Sequence, residues 1–124
     1  MEIRQDSNTP IYQQIADALE DMILEGHLKT EEQAPSTNQL ASHYNLNPAT
    51  ARKGLSILAD EGILYKKRGL GMFVSEGALQ MIREKRKKEF IDHYITKLIT
   101  ESKRLGIDLK DLFKIIEEEG RKQE

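Results

Sequence analysis

The sequence predicts a mainly α-helical chain with one small β-hairpin, and three of its features lead to this class. Apolar residues recur every three to four positions through most of the 124 residues, as in amphipathic helices. An N-cap residue followed by proline, a signal for the start of a helix, occurs at Thr9-Pro10 and at Asn47-Pro48. Between residues 63 and 74, two short apolar segments flank Gly69-Leu70-Gly71, which indicates a hairpin.

The first helix is predicted over residues 10–25, with Thr9 as its N-cap and Pro10 as its first residue. Gly26 is expected to end it. One apolar side chain recurs on each turn of this helix: Ile11, Ile15, Leu19 and Ile23.

Two more helices follow closely. Ser36 and Gln39 have the spacing of a capping box, which predicts a short helix over residues 37–44. After the turn Asn45-Leu46-Asn47, a longer helix runs from residue 48 to about residue 61, where Gly62 stops it. Its inward-facing side chains are expected to be Ala51, Leu55 and Leu58.

The second half is predicted to start with the hairpin and to continue as helix. Strands are expected over residues 63–68 and 72–74, and the tip of the hairpin is expected to carry Lys66, Lys67 and Arg68. A long helix over residues 78–105 ends at Gly106, and Asp108 caps a last helix over residues 109–119. From Gly120 onward we expect fraying.

Composition excludes several classes of function. The absence of Cys removes disulfides, thiol nucleophiles and thiolate metal sites, and fits a cytoplasmic protein. No apolar run exceeds three residues, so we expect neither a membrane helix nor a signal peptide. His27, His43 and His93 share no ligand spacing, and no nucleophile is paired with a base. We therefore expect no metal, no cofactor and no enzyme activity.

Charge is unevenly distributed along the chain. The net charge is -2 overall, but residues 1–76 carry 7 Lys and Arg against 11 Asp and Glu, a net of 7 − 11 = -4, and residues 77–124 carry 12 against 10, a net of 12 − 10 = +2. Basic residues cluster at 52–53, 66–68 and 83–88. Taken alone, each cluster is most simply a solvated surface, so the placement of these charges matters more than their sum.

The order of elements is that of a winged helix-turn-helix, in which the second helix of the pair enters the major groove of DNA. Ala49, Arg52, Lys53 and Ser56 share one face of that helix, opposite its apolar face. The simpler alternative is that Arg52 is a surface cation without a functional role and that the hairpin only stabilises the fold. The candidate DNA-binding residues are Ser36, Thr37, Asn38, Asn47, Pro48, Ala49, Thr50, Arg52, Lys53, Lys67, Arg68 and Gly69.

Four segments carry a resemblance to a known family: Pro10 to Ile15, Pro35-Ser36 with Leu40-Ala41, Asn47-Pro48 with Thr50 and Arg52, and Glu61 to Val74. Over residues 10–74 the chain resembles the N-terminal domain of GntR-family transcriptional regulators. With only about 50 residues after the wing, it is similar to the YtrA-type branch, because other branches carry a large effector-binding domain.

The resemblance implies a dimeric DNA-binding repressor, with contacts from Thr50, Arg52, Arg68 and Gly69. It allows a small-molecule effector, whose chemistry no motif here specifies. Asn38 stands where the family often has Arg, which implies a weaker phosphate contact. Glu31-Glu32 stands where the family has Gly-Asp, and Ala34 stands where it has Leu.

Residues 1–76 are thus predicted to be the DNA-binding domain and residues 77–124 a helical dimerisation segment. The apolar surface of the long helix is too wide for the last helix to cover, so the last helix is expected to cover one stripe and a second copy the other. The alternative is that the long helix packs on its own winged domain. The charged stretch 83–89 is either an exposed spacer or lies along flanking phosphates. The candidate dimerisation residues are Phe90, Ile91, Tyr94, Ile95, Leu98, Ile99, Leu112, Phe113 and Ile116.

The predicted function is a sequence-specific transcriptional regulator that represses by binding a two-fold operator in double-stranded DNA as a homodimer. The alternative is a winged-helix module that binds a protein partner. Salt dependence separates the two, because DNA binding weakens steeply with salt through counterion release.

Overall fold

The computed structural model describes residues 2–124 and divides into two compact units, the first ending at Glu84 and the second spanning Lys85–Glu124. The predicted boundary lay eight residues earlier, at 76. The first turns of the fourth helix belong to the winged unit because Ala78 and Ile82 are fully buried in its core. The elements in chain order are α1 (Ile11–Leu24), α2 (Thr37–Tyr44), α3 (Pro48–Asp60), β1 (Leu64–Lys67), β2 (Gly71–Val74), α4 (Ala78–Phe90), a π-helical turn (Ile91–Ile95), α5 (Thr96–Arg104) and α6 (Leu109–Lys122).

One apolar core holds the winged unit together, as the periodicity predicts. Ala51, Leu55 and Leu58 are buried on the inner face of α3, and the predicted stripe of α1 is buried from Ile15 onward. The hairpin closes this core with Leu64 and Val74.

The start of α1 differs from the prediction. Pro10 has an extended ψ of 147° and is the N-cap residue itself, so the helix begins at Ile11 and the Thr9 hydroxyl caps nothing. The side-chain amide of Gln14 donates to the Thr9 carbonyl at 2.8 Å and to the Arg4 carbonyl at 2.7 Å. The chain before α1 is therefore held by Gln14.

The capping box and the turn of the helix-turn-helix are confirmed. The Ser36 hydroxyl accepts from the Gln39 N–H at 3.0 Å, and the Gln39 side chain accepts from the Ser36 N–H at 2.8 Å. Asn45 takes a left-handed conformation at the end of α2, and the Asn47 side chain caps α3. These local bonds fix the angle at which α3 leaves α2.

The hairpin is a two-stranded antiparallel sheet whose strands pair from Leu64 with Val74 to Lys67 with Gly71. β1 is shorter than the predicted strand over residues 63–68, and β2 begins one residue before its predicted start at residue 72. Of the three predicted tip cations, Lys66 and Lys67 are paired within β1, and the loop at the tip consists of Arg68, Gly69 and Leu70. The segment before α2 joins the free side of β2, because the Glu31 N–H donates to the Val74 carbonyl and the Ala34 N–H to the Met72 carbonyl, each at 2.8 Å.

The long helix predicted over residues 78–105 is interrupted by the π-helical turn. The N–H of Thr96 bonds to the carbonyl of Ile91, five residues earlier, and the Thr96 hydroxyl donates to the same carbonyl at 3.2 Å. A threonine side chain that bonds to a nearby carbonyl offers the backbone an alternative to the regular helical pattern. This signal is local to Thr96 and Ile91, so the sequence itself carries it.

The last helix extends beyond its predicted end. α6 passes through Gly120 and ends at Lys122, so the prediction of fraying from Gly120 is wrong. Arg121 pairs with Glu117 at 3.3 Å and Lys122 with Glu119 at 3.0 Å. Such pairs, together with cations near a helix C-terminus, favour one more turn and offset the cost of the glycine.

Candidate nucleic-acid interface

The start of α3 presents a polar surface, as the sequence predicts. The Asn47 side chain accepts from the Ala49 N–H at 2.8 Å, which fixes the first turn. Pro48, Ala49 and Arg52 are exposed, and Thr50 is half-buried. A helix whose exposed N-terminal face carries small and polar side chains has the shape required to enter a major groove.

Lys53 is exposed, but its charge has a partner. Its Nζ atom lies 3.9 Å from the centroid of the Tyr12 ring on α1. A cation over an aromatic face is attracted by the ring, so this side chain is directed along α1. Arg52, one residue earlier, is therefore the cation that α3 offers most freely.

A groove of about 490 Å³ joins three elements of the winged unit. It is lined by the start of α2, by Arg52 and Ser56 of α3, and by Lys66 of the hairpin. The first N–H groups of α2 have no acceptor within their own helix, as at every helix start. Two cations and a helix N-terminus thus face one concave surface, which suits a phosphate backbone.

Lys66 was predicted at the tip of the hairpin, but it is not among the candidate DNA-binding residues. Side chains alternate between the two faces of a strand, so Lys66 and Lys67 point in opposite directions. Lys66 lines the groove beside Arg52. Lys67 lies on the other face, with its Nζ atom 4.2 Å from the centroid of the Phe73 ring. The period of two in a strand is the sequence signal that separates these two lysines.

The tip of the hairpin is formed by three exposed residues, Arg68, Gly69 and Leu70. Arg68 and Gly69 lie where the resemblance implies DNA contacts. Leu70 was not among the candidates, yet 64% of its surface is exposed, and it is an unusual apolar residue at such a position. Its side chain lines the same groove as Arg52.

The two acidic residues beside the hairpin are both engaged in hydrogen bonds. Glu31 adopts a φ of +69°, a left-handed conformation that glycine takes without strain, and its carboxylate accepts a hydrogen bond from the Tyr65 hydroxyl. That hydrogen bond raises the pKa of Tyr65 above its ordinary value of 10.0, because ionisation would remove the proton that Glu31 accepts. The Glu32 carboxylate accepts from the Lys29 N–H at 2.7 Å.

At the start of α2, one of the three predicted contact side chains already has a partner within the protein. The Ser36 hydroxyl is occupied by the capping box. Thr37 is half-buried and Asn38 is exposed, and all three line the groove. The backbone N–H groups of Thr37 and Asn38 are the more available donors, because the Ser36 N–H donates to the Gln39 side chain.

The second unit exposes an unusual amount of apolar surface. Ile95 and Ile99 are half-buried, but Phe113 is 59% exposed and Tyr94 is 68% exposed. Leu112 differs from the other candidates, because it is buried within the single chain and cannot present itself to a second copy. It is also the one buried residue of α6, so α6 does not cover a whole stripe as expected. The large apolar residues that remain exposed in this unit are Phe90, Ile91, Tyr94, Leu98, Leu105, Leu109, Phe113, Ile115 and Ile116.

Residues 11–74 match the bacterial regulatory proteins of the gntR family. The chain belongs to the GntR family. It is 34% identical over 112 residues to the transcriptional repressor YtrA of Bacillus subtilis, a match that covers 90% of this chain and 85% of that protein. The family predicted from the motifs is therefore confirmed, and so is the winged-helix fold.

Solved structures agree with this assignment. A chain assigned to the GntR family from Bacteroides thetaiotaomicron has a TM-score of 0.79 and 32% identity, and the match covers 92% of this chain and 99% of that one. BusR of S. agalactiae, solved in complex with its busAB promoter DNA, has a TM-score of 0.58 and 30% identity, covering 93% of this chain and 52% of BusR. Over residues 2–124 of this GntR-family protein, no helix is both long and apolar enough to cross a bilayer.

Proposed function

We propose that this protein is a transcriptional repressor that binds a two-fold operator in double-stranded DNA as a homodimer, in the cytoplasm. The observation that carries this proposal is the groove in which Arg52, Lys66 and the start of α2 face one another. The names of two relatives support it: YtrA is a repressor, and BusR was solved with promoter DNA.

The charge distribution supports the same surface. Residues 1–76 have a net charge of -4, yet five of their seven cations lie on α3 and the hairpin: Arg52, Lys53, Lys66, Lys67 and Arg68. A local basic surface on an acidic domain orients the approach of DNA, because the rest of the domain repels phosphate. In this proposal α3 lies in the major groove, the start of α2 meets a phosphate, and the hairpin tip contacts the backbone or minor groove.

Dimerisation through the second unit explains its exposed apolar side chains. A patch of this kind on a small unit marks an interaction surface. A two-fold operator requires two copies of α3 about 34 Å apart, or a multiple of that distance, along the duplex. Two copies joined through their second units would supply this symmetry.

DNA recognition is tested by selecting bound duplexes from a random pool with the full chain. We expect one two-fold sequence to be enriched and its affinity to fall steeply with salt. Recovery of no preferred sequence, with weak binding independent of salt, would contradict the proposal and favour a winged-helix module that binds a protein.

Dimerisation is tested with Phe113→Glu. Because Phe113 is 59% exposed in the single chain, this change spares the fold of the protomer but would place an unpaired charge in a dimer interface. We expect monomers in sedimentation at micromolar protein, unchanged circular dichroism, and affinity for the selected duplex near the non-specific range of about 10⁻⁴–10⁻⁶ M. Lys114→Glu, the next position on α6, is the matched control and should remain dimeric. A dimeric Phe113→Glu variant would place the interface elsewhere.

A further inference from the structure

Gln33 makes a hydrogen bond to the tip of the hairpin from 37 residues away in sequence. Its side-chain amide donates to the carbonyl of Leu70 at 2.6 Å. Leu70 is the last residue of the loop, and its own N–H donates to the Lys67 carbonyl at 2.9 Å. The loop is therefore closed by one backbone bond and held from outside by one side chain.

Gly71 is fitted to this side chain. A Cβ atom at Gly71 would lie 2.9 Å from Nε2 of Gln33, closer than real Cβ contacts allow. Gly71 also has a φ of +117°, which L side chains rarely adopt. The absence of a side chain at residue 71 is thus what lets the Gln33 amide reach the Leu70 carbonyl.

The backbone of Gln33 is itself part of the sheet. Gln33 is bridged to Phe73, and its neighbours on both sides donate or accept hydrogen bonds along β2. Three residues later Ser36 opens the capping box of α2. Gln33 therefore ties the hairpin tip to the helix start that shares the groove with Arg52.

We propose that Gln33 is a positioning residue that holds the tip Arg68–Leu70 in the conformation that meets DNA, an inference that rests on the function proposed above. Gln33 does not itself need to touch DNA. Because the Gln33 amide already orders the tip in the free protein, less conformational entropy is lost when the tip binds DNA. Preorganisation of this kind raises affinity without adding a contact.

The first test measures the tip without DNA. Gln33→Met keeps the length of the side chain but removes the donor, and Gln80→Met is the matched control, because the Gln80 amide donates to Glu84 on its own helix. We expect ¹⁵N relaxation of the free full-length protein to show lower order at residues 68–70 in Gln33→Met and no change in Gln80→Met. A tip that is equally ordered in both variants would overturn the inference.

The second test is a double-mutant cycle on the selected duplex with Arg68→Ala. Gln33→Met alone should weaken binding about two- to tenfold, the range for loss of one hydrogen bond. In the Arg68→Ala background it should have a much smaller effect, because the group that it positions is gone. A merely structural role would give the same loss in both backgrounds and would refute positioning.

The two proposals fail in different ways. If Arg68→Ala alone leaves affinity and salt dependence unchanged, the wing contact of the proposed function is wrong. If Arg68→Ala weakens binding but Gln33→Met does not, the contact is right and the positioning role of Gln33 is wrong.

Discussion

Gly54 allows the close approach of α1 and α3, and Gly54→Ala should separate these helices. A Cβ atom at residue 54 would meet Cγ2 of Ile15 at 2.8 Å, Cβ of Ile15 at 2.9 Å and the Tyr12 carbonyl oxygen at 2.9 Å. Only the first of these is the end of a side chain, and the other two move only if α1 moves. The change therefore overpacks the interface between α1 and α3.

Two effects of opposite sign decide the magnitude. Alanine is a better helix former than glycine by about 1 kcal/mol in a helix interior. Overpacking costs about 1–3 kcal/mol, and three contacts below 3.0 Å place this site near the upper end. We expect a net loss of about 2 kcal/mol, which lowers the Tm of a domain of this size by roughly 8–16 °C.

The assay is thermal unfolding followed by circular dichroism, with Gly120→Ala as the control. Gly120 is also helical, but among residues 2–124 a Cβ atom there would meet no heavy atom within 4 Å beyond its chain neighbours and the backbone of its own helix, so alanine should leave the Tm unchanged or raise it slightly. A Gly54→Ala variant at least as stable as the parent would show that α1 and α3 separate freely, and the packing argument would be wrong.

Four further substitutions test the site. Arg52→Ala should weaken binding to the selected duplex by about 1–3 kcal/mol and relax one base position if Arg52 reads a base edge, whereas an equal loss on a scrambled duplex would indicate a phosphate contact. Lys66→Ala should flatten the slope of log affinity against log salt by about 0.9, and Lys67→Ala by less; the reverse order would refute their assigned faces. Glu31→Gln should return the raised pKa of Tyr65 toward 10.0. The titration is followed by tyrosinate absorbance, and the part of the signal that belongs to Tyr65 is the part that is absent from Tyr65→Phe. Because the folded pKa is the higher one, this pair stabilises the fold fully below pH 10 and loses that contribution as pH rises through the folded value.

Local signals made most of the winged unit predictable. The capping box at Ser36 and the proline after Asn47 act within a few residues, so the sequence alone sets where α2 and α3 begin. The change from helical to strand period likewise located the hairpin. The cap at Thr9 was predicted wrongly, because the helix begins one residue later than the Thr9-Pro10 signal indicates, with Pro10 as the N-cap.

Contacts between distant segments were not predictable in the same way. Nothing in the local pattern at Gln33 indicates that its side chain bonds to Leu70. From the sequence, Gly54 is a helix-destabilising residue, and its packing role becomes apparent only from the contact between α1 and α3. Leu112 has the same apolar character as Phe113, and only the fold separates the buried residue from the exposed one. The sequence therefore predicts the face of a helix or strand on which a residue lies better than it predicts the segment that packs against that face.

The five cations of α3 and the hairpin are not equivalent, and this bears on how tightly DNA is held. Lys53 lies over the Tyr12 ring and Lys67 over the Phe73 ring, so each has a partner within its own protomer. Arg52, Lys66 and Arg68 remain as exposed charges with no aromatic partner among residues 2–124.

If each neutralises one phosphate, a dimer makes about six such contacts and its salt slope is about −5, whereas five cations per protomer would give about −9. A slope near −5 would mean that the Tyr12 and Phe73 rings hold Lys53 and Lys67 in the complex as they do in the free protein. The aromatic residues would then limit the electrostatic part of binding and leave more of the recognition to the contacts of α3 in the major groove.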